Sequence, residues 1–256
     1  MRTFGYVAII AFISLFMLIS AGLAQTSGYE ETFFKANTAY RQDRFQEAAD
    51  SYTQLIKAGY KNGNMYYNLG NAYFRLDKPG YAILNYERAR ILIPRDPDLN
   101  FNLKYTRDRI QDAIEEPLSF WEMAFFWIGS FNFNELLYCF AVLNLFFWGI
   151  LFVRLFKKTE WTYYASMILF ILWMITGASS GLKWYILSTD DRAVILEKET
   201  NILAGPDAKD TVLFKLHEGT VVHHERSEEG WSLISLPDKK RGWIKDGALE
   251  NVVENK

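Results

Sequence analysis

Two uncharged apolar runs, Leu136 to Val153 and Trp161 to Leu182, divide the chain into a longer N-terminal part and a C-terminal part of short β-rich stretches. Each run is long enough to cross about 30 Å of hydrocarbon as a helix, so the pattern predicts transmembrane helices at 135–155 and 161–183. Arg154, Lys157 and Lys158 lie between them, opposed only by Glu160, and the positive-inside rule puts this turn in the cytoplasm. Trp161, Tyr163, Tyr164, Trp184 and Tyr185 stand at the ends, where amphipathic rings favour the headgroup region. A third apolar stretch, Val7 to Ile19, follows Arg2 and precedes Ala21, Gly22 and Ala24. It reads as a secretory signal over 1–24, cleaved after Ala24 or retained as an anchor. Both signals place the chain before Leu136 and after Leu182 on the outer side of the membrane.

Ahead of the first span, residues 117–134 hold Phe120, Trp121, Phe125, Phe126, Trp127, Phe131 and Phe133 with the single charge Glu122. The segment is short for a span and reads as a helix lying in the membrane interface, with a partial re-entrant segment or a protein contact surface as alternatives. After the second span, β-rich runs at Ala193–Leu196, Val212–Leu216, Thr220–His224, Trp231–Leu236 and Gly242–Ile244 alternate with turn signals at Gly205-Pro206, Glu218-Gly219, Glu229-Gly230 and Pro237-Asp238. Five or so short strands in this space predict a small barrel over 190–253. Leu216 to Thr220, Gly230-Trp231 and Gly242-Trp243-Ile244 resemble a bacterial SH3-like domain.

The exported N-terminal part repeats itself. A shift of 34 residues superposes Ala36 on Gly70, Asn37 on Asn71, Tyr40 on Phe74, Arg41 on Arg75, Asp43 on Asp77, Ala48 on Ala82 and Tyr52 on Tyr86. With Tyr66 to Tyr73, Ala82, Tyr86, Ala89 and Pro94, the second copy resembles the tetratricopeptide repeat. The small residues let paired helices approach, and the aromatics fill the layers between them. The resemblance implies a repeat domain over 28–116, with units at 28–61 and 62–95 and a capping helix at 96–115. Asp96 or Asp98 can cap that last helix, Pro97 suits its first turn, and Phe101, Leu103 and Ile110 run along it. It also implies a groove lined by Asn37, Tyr40, Arg41, Asn71, Phe74 and Arg75. There an amide side chain could meet a peptide backbone and a guanidinium a carboxylate.

Charge and composition remove several functions. Lys plus Arg is 28 against Asp plus Glu at 30, without a long basic run, so no footprint for nucleic acid is present. Cys139 is the only cysteine and lies within the first apolar run, where it has no disulfide partner. No pairing of nucleophile with base, phosphate loop or metal spacing stands out, and no cofactor is expected; the chain reads as a non-enzyme. His223 and His224, adjacent on a strand, point to opposite faces, which argues against a metal site with His217. Trp231 and Trp243 could line a peptide platform or close the barrel.

The predicted architecture is therefore a multidomain membrane protein: an all-α tetratricopeptide-repeat domain, a two-helix transmembrane hairpin and a small all-β SH3-like barrel. This order resembles the BatE-type proteins of the aerotolerance (Bat) group. That resemblance implies a multi-pass scaffold of the bacterial cytoplasmic membrane with both domains on the periplasmic side. Its partners would be von Willebrand factor A-domain membrane proteins and, indirectly, a MoxR-type ATPase, in an envelope or oxidative-stress complex. The alternative is an envelope sensor or anchor whose SH3-like domain binds peptidoglycan or cell-wall peptides.

Overall fold

A computed structural model describes residues 29–112, 114, 123 and 125–253; the expected signal segment 1–24 lies outside them. Helices α1 (29–41) and α2 (Phe45–Lys57) form one pair, α3 (Gly63–Arg75) and α4 (Pro79–Leu92) a second, and α5 (Pro97–Arg107) packs on α4. The 34-residue spacing reappears as geometry. Asp43 and Asp77 each turn the chain at a φ of 57°, a left-handed conformation that Asp tolerates better than bulkier residues. Asn62 and Asp96 cap α3 and α5, their side chains accepting from the N–H of Met65 and Leu99 at 2.9 Å. Ala36, Ala48, Ala82 and Ala89 are buried, and a Cβ on Gly70 would fall 2.6 Å from the Tyr86 ring, so small residues sit where an opposing ring needs room.

The closing helix stops at Arg107, short of the expected 96–115. Beyond it the chain turns to bring Ile110 and Asp112 against the C-terminal sheet, a tertiary contact that helical periodicity does not encode. Helix α4 also departs from the pattern of a surface helix. Gly80 and Ala82 through Ala89 are all buried, including Asn85, Glu87 and Arg88, so other elements must cover its whole circumference.

The sheet supplies that cover. Strands β1 (Arg192–Ile195), β2 (Glu199–Leu203), β3 (Val212–His217), β4 (Val221–Glu228), β5 (Trp231–Ser235), β6 (Arg241–Lys245) and β7 (Leu249–Asn251) pair antiparallel in the order β3-β2-β6-β5-β4-β1-β7. The five expected runs omit β2 and β7. Glu199-Thr200-Asn201 carries little apolar signal and β7 is three residues long, so both depend on ladders offered by their neighbours. Glu229 and Gly230 both have positive φ and form the two-residue turn between β4 and β5. The sheet curls, because Leu216 near one edge and Leu249 at the other share a core with Ile202, Ile234 and Ile244.

Strand β1 is buried on both faces. Ala193 and Ile195 point into the sheet's own core, whereas Val194 joins the helical core along with Val252, Val221 and Leu196. Arg88 of α4 donates to the Val252 and Asn251 carbonyls at 3.1 and 2.8 Å and pairs with Glu250 at 2.8 Å. The Asp112 carboxylate accepts from the His217 N–H at 2.7 Å and the Thr220 hydroxyl at 3.2 Å. Glu87, fully buried, meets Arg90 at 2.8 Å, Arg192 at 3.1 Å and Arg107. The helical and β regions thus form one packed unit rather than two beads on a string.

Helix α6 (Phe126–Ser130) is followed by α7 (Phe133–Phe156) and α8 (Glu160–Thr189), both long and apolar enough to cross a membrane. They exceed the expected 135–155 and 161–183 because capping boxes extend their starts, Asn132 with Glu135 and Thr159 with Thr162, and because α8 continues almost to β1. Phe140, Phe147, Phe170 and Trp173 stack between the helices, and Gly177 leaves room for Phe140, whose ring would lie 2.9 Å from an added Cβ. Cys139 is exposed on α7. Of the aromatic segment 117–134, residues 123 and 125–134 are described. Trp127 Nε1 donates to the Ser179 hydroxyl and Lys183 to the Ile128 carbonyl, both at 3.2 Å, so α6 covers a polar stripe on α8. Asn132 donates to the Leu92 carbonyl at 3.0 Å and Arg95 pairs with Glu135 at 2.5 Å, which ties this end of the hairpin to the helical region.

Candidate functional site

The structure divides the six expected groove residues by role. Asn37 Oδ1 accepts from the Tyr52 hydroxyl at 2.7 Å and from Asn68 Nδ2 at 3.4 Å. Asn71 Oδ1 accepts from the Tyr86 hydroxyl at 2.7 Å and from Asn102 Nδ2 at 3.0 Å. The two asparagine oxygens therefore hold successive helices together. Asn68 and Asn102 complete this ladder at the same 34-residue spacing, a signal present in the sequence but absent from the expected site. Burial pushes the Tyr52 phenol up to about 12 against the opposing hydrogen bond with Asn68, and burial raises Tyr86 as well, so both remain protonated donors near neutral pH.

Tyr40, Arg41 and the rim of Asn37 share a hollow with Tyr52 and Asn68. Phe74 and Arg75 share a second with Asp77, Pro79, Thr106 and Arg109. Aromatic surface continues outward from there: Tyr105 lies 5.9 Å from Phe74 and stacks on Phe101 at 6.0 Å, and Phe101 is 67% exposed. Guanidiniums lie on these rings, Arg109 over Tyr105 at 4.1 Å and Arg75 over Phe45 at 4.3 Å.

The outer face of the sheet has two halves. One half, around Val194 and Val221, is occupied by α4. On the other, the register places Trp231 opposite Lys245 and Trp243 opposite Leu233, so both tryptophans stand on the face opposite to Ile234 and Ile244. Trp243 is 7% exposed, with Arg226 over its ring at 5.4 Å; Trp231 is half-buried, with Lys245 at 6.0 Å. The three histidines have separate neighbours: His217 beside Asp112, His223 beside Asp191 at 2.7 Å and His224 beside Ser227 at 3.0 Å. Among the described residues no group of three or more His, Cys, Asp or Glu side chains is arranged to hold a metal ion.

Comparison with known families identifies the C-terminal part. Residues 197–251, which span β2 to β7, match the bacterial SH3 domain family. No curated protein matches the chain.

Proposed function

We propose that the protein is a non-catalytic, membrane-anchored scaffold. Tetratricopeptide-type repeats and an SH3 domain stand together on the outer face of the cytoplasmic membrane, and the repeats bind partner polypeptides. One observation carries this reading: α8 passes into β1 through Asp190 and Asp191 alone, and the sheet it enters packs on α4. Both folded regions consequently lie at the same end of the hairpin, opposite the basic turn of Arg154, Lys157 and Lys158, as the positive-inside rule requires. The order of the parts resembles BatE-type proteins, and that resemblance would make von Willebrand factor A-domain proteins the membrane partners. Single cysteines at the exposed positions Gln54, Lys158 and Ala208, in a Cys139→Ala background, should be labelled in intact cells at Gln54 and Ala208 and protected at Lys158. Labelling at Lys158 alone would invert the topology and remove the proposal.

The half-buried Trp231 beside Lys245 favours a second reading, in which the SH3 domain also holds a cell-wall peptide, whose carboxylates would meet the lysine and whose stem would lie on the ring. Detergent-solubilised full-length protein would then co-sediment with purified sacculi, and Trp231→Ala would reduce the bound fraction several-fold. Equal sedimentation of both proteins would eliminate Trp231 as a platform.

A further inference from the structure

The helical region holds eight arginines between Arg41 and Arg109, and their pairing separates them into two classes. Arg44, Arg88, Arg90, Arg95 and Arg107 each lie against a glutamate: Glu47, Glu250, Glu87, Glu135 and Glu87 respectively. The other three are Arg41, Arg75 and Arg109, which recur at the 34-residue repeat spacing. Among the described residues Arg41 and Arg109 have no carboxylate partner; the recorded bond of Arg41 goes to the Asn37 carbonyl in its own helix at 3.3 Å. Arg75 reaches only Asp43, at 3.4 Å, and that carboxylate is 77% exposed. The repeat spacing puts the three at corresponding places in successive units, Arg41 in the first hollow and Arg75 with Arg109 in the second.

Aromatic rings accompany the charges. Arg75 is stacked on Phe45 and Arg109 on Tyr105, which restrains the guanidiniums while leaving N–H edges available, and Tyr40, Phe74 and the exposed Phe101 lie beside them. Asp43 and Asp77 line the same edge, so the surface is not a uniform basic field but a row of separate positive points. Such a row suits an extended chain with acidic side chains at intervals and aromatic or apolar residues between them. A guanidinium takes a carboxylate through two parallel N–H donors, and the rings take the intervening side chains.

We propose that Arg41, Arg75 and Arg109 form a ladder that selects an acidic, aromatic-containing segment of a partner protein. The inference rests on the reading of the repeats as a polypeptide-binding groove and specifies what that groove accepts. The test uses full-length protein in neutral-lipid nanodiscs and three fluorescent peptides of equal length: one with Glu and Phe interspersed, one with Gln replacing Glu, and one with Lys replacing Glu. In anisotropy titrations the Glu/Phe peptide should bind at least about tenfold more tightly than the Gln peptide, and its affinity should fall as salt is raised. Arg109→Gln and Arg41→Gln should each weaken it about tenfold with little change in melting temperature, because among the described residues neither arginine has a carboxylate partner.

Equal binding of the Glu and Gln peptides, unaffected by the arginine variants but lost on Phe74→Ala, would overturn the ladder and leave the groove standing. Failure of all three peptides would overturn the groove and the ladder together. Binding of vesicles containing anionic lipid in place of any peptide, sensitive to the same arginines, would overturn the peptide assignment in favour of a lipid headgroup.

Discussion

Replacing Glu87 by Gln should cost about 3–5 kcal/mol and lower the melting temperature of the solubilised protein by roughly 10 °C. The residue is fully buried at the junction where α4, α5 and β1 meet, and it pairs with Arg90, Arg107 and Arg192. Glutamine keeps the shape but removes the charge, so Arg90 and Arg107 face a neutral acceptor and Arg192 keeps its pairing with Asp190. Burial alone would raise the Glu87 carboxyl, but Arg90, Arg192 and Arg107 outweigh it and hold the group below the usual carboxylate range. A carboxylate lowered by folding contributes its stabilisation in full above the unfolded value of about 4.3, and that contribution is lost as pH falls through the lowered one. The parent protein should therefore lose stability in acid over a range where the Glu87→Gln variant changes less. Circular-dichroism melts from pH 7 to pH 3 measure both effects. Identical melting of parent and variant would mean that water solvates the arginines and that the junction is not dry.

Gly80→Leu should separate the helical and β regions at a cost of about 2–3 kcal/mol. Gly80 is a point of close approach: a Cβ there would lie 2.7 Å from the Ile195 carbonyl and 3.2 Å from the Gly219 nitrogen, both backbone atoms that cannot swing aside. On the opposite wall, Gly219 has a φ of 89°, and a Cβ there would fall 2.8 Å from Ile110 and 2.9 Å from Ile83, so neither glycine can be replaced without moving the sheet. Hydrogen exchange should show α4 and β1 opening together in the parent and independently in Gly80→Leu. Gly247→Ala, in open space, serves as the control and should leave exchange unchanged. Independent opening of α4 and β1 already in the parent would show that the two regions are not one cooperative unit.

Much of this organisation was legible in the chain. The apolar runs Leu136–Val153 and Trp161–Leu182 mark the two long helices because a continuous uncharged stretch reports its own environment. The coincidences from Ala36 with Gly70 to Tyr52 with Tyr86 mark the paired helices because a repeated fold demands the same residue wherever the same ring needs room. The turn signals and Gly-Trp pairs mark the SH3 domain, although β2 and β7 escaped notice because strands of polar or minimal sequence take their conformation from a neighbour's ladder. Even the Asn68 and Asn102 ladder was available at the repeat spacing.

Only the tertiary structure decided how these parts meet. Val194 reads as one apolar residue in a strand, and nothing local says that its face belongs to the helical core while Ala193 and Ile195 belong to the sheet. Glu87 and Arg192 are 105 positions apart and unremarkable in sequence, yet burial makes them partners. Asn37 and Asn71, expected to face a peptide, have their oxygens turned to tyrosines of the following helix. The sequence by itself determined most of the elements, the two long apolar helices and the repeat spacing, since those depend on local periodicity and length. The packing of α4 on β1, and the division of the arginines into paired and unpaired, depend on distance between residues remote in the chain, which only the folded structure sets.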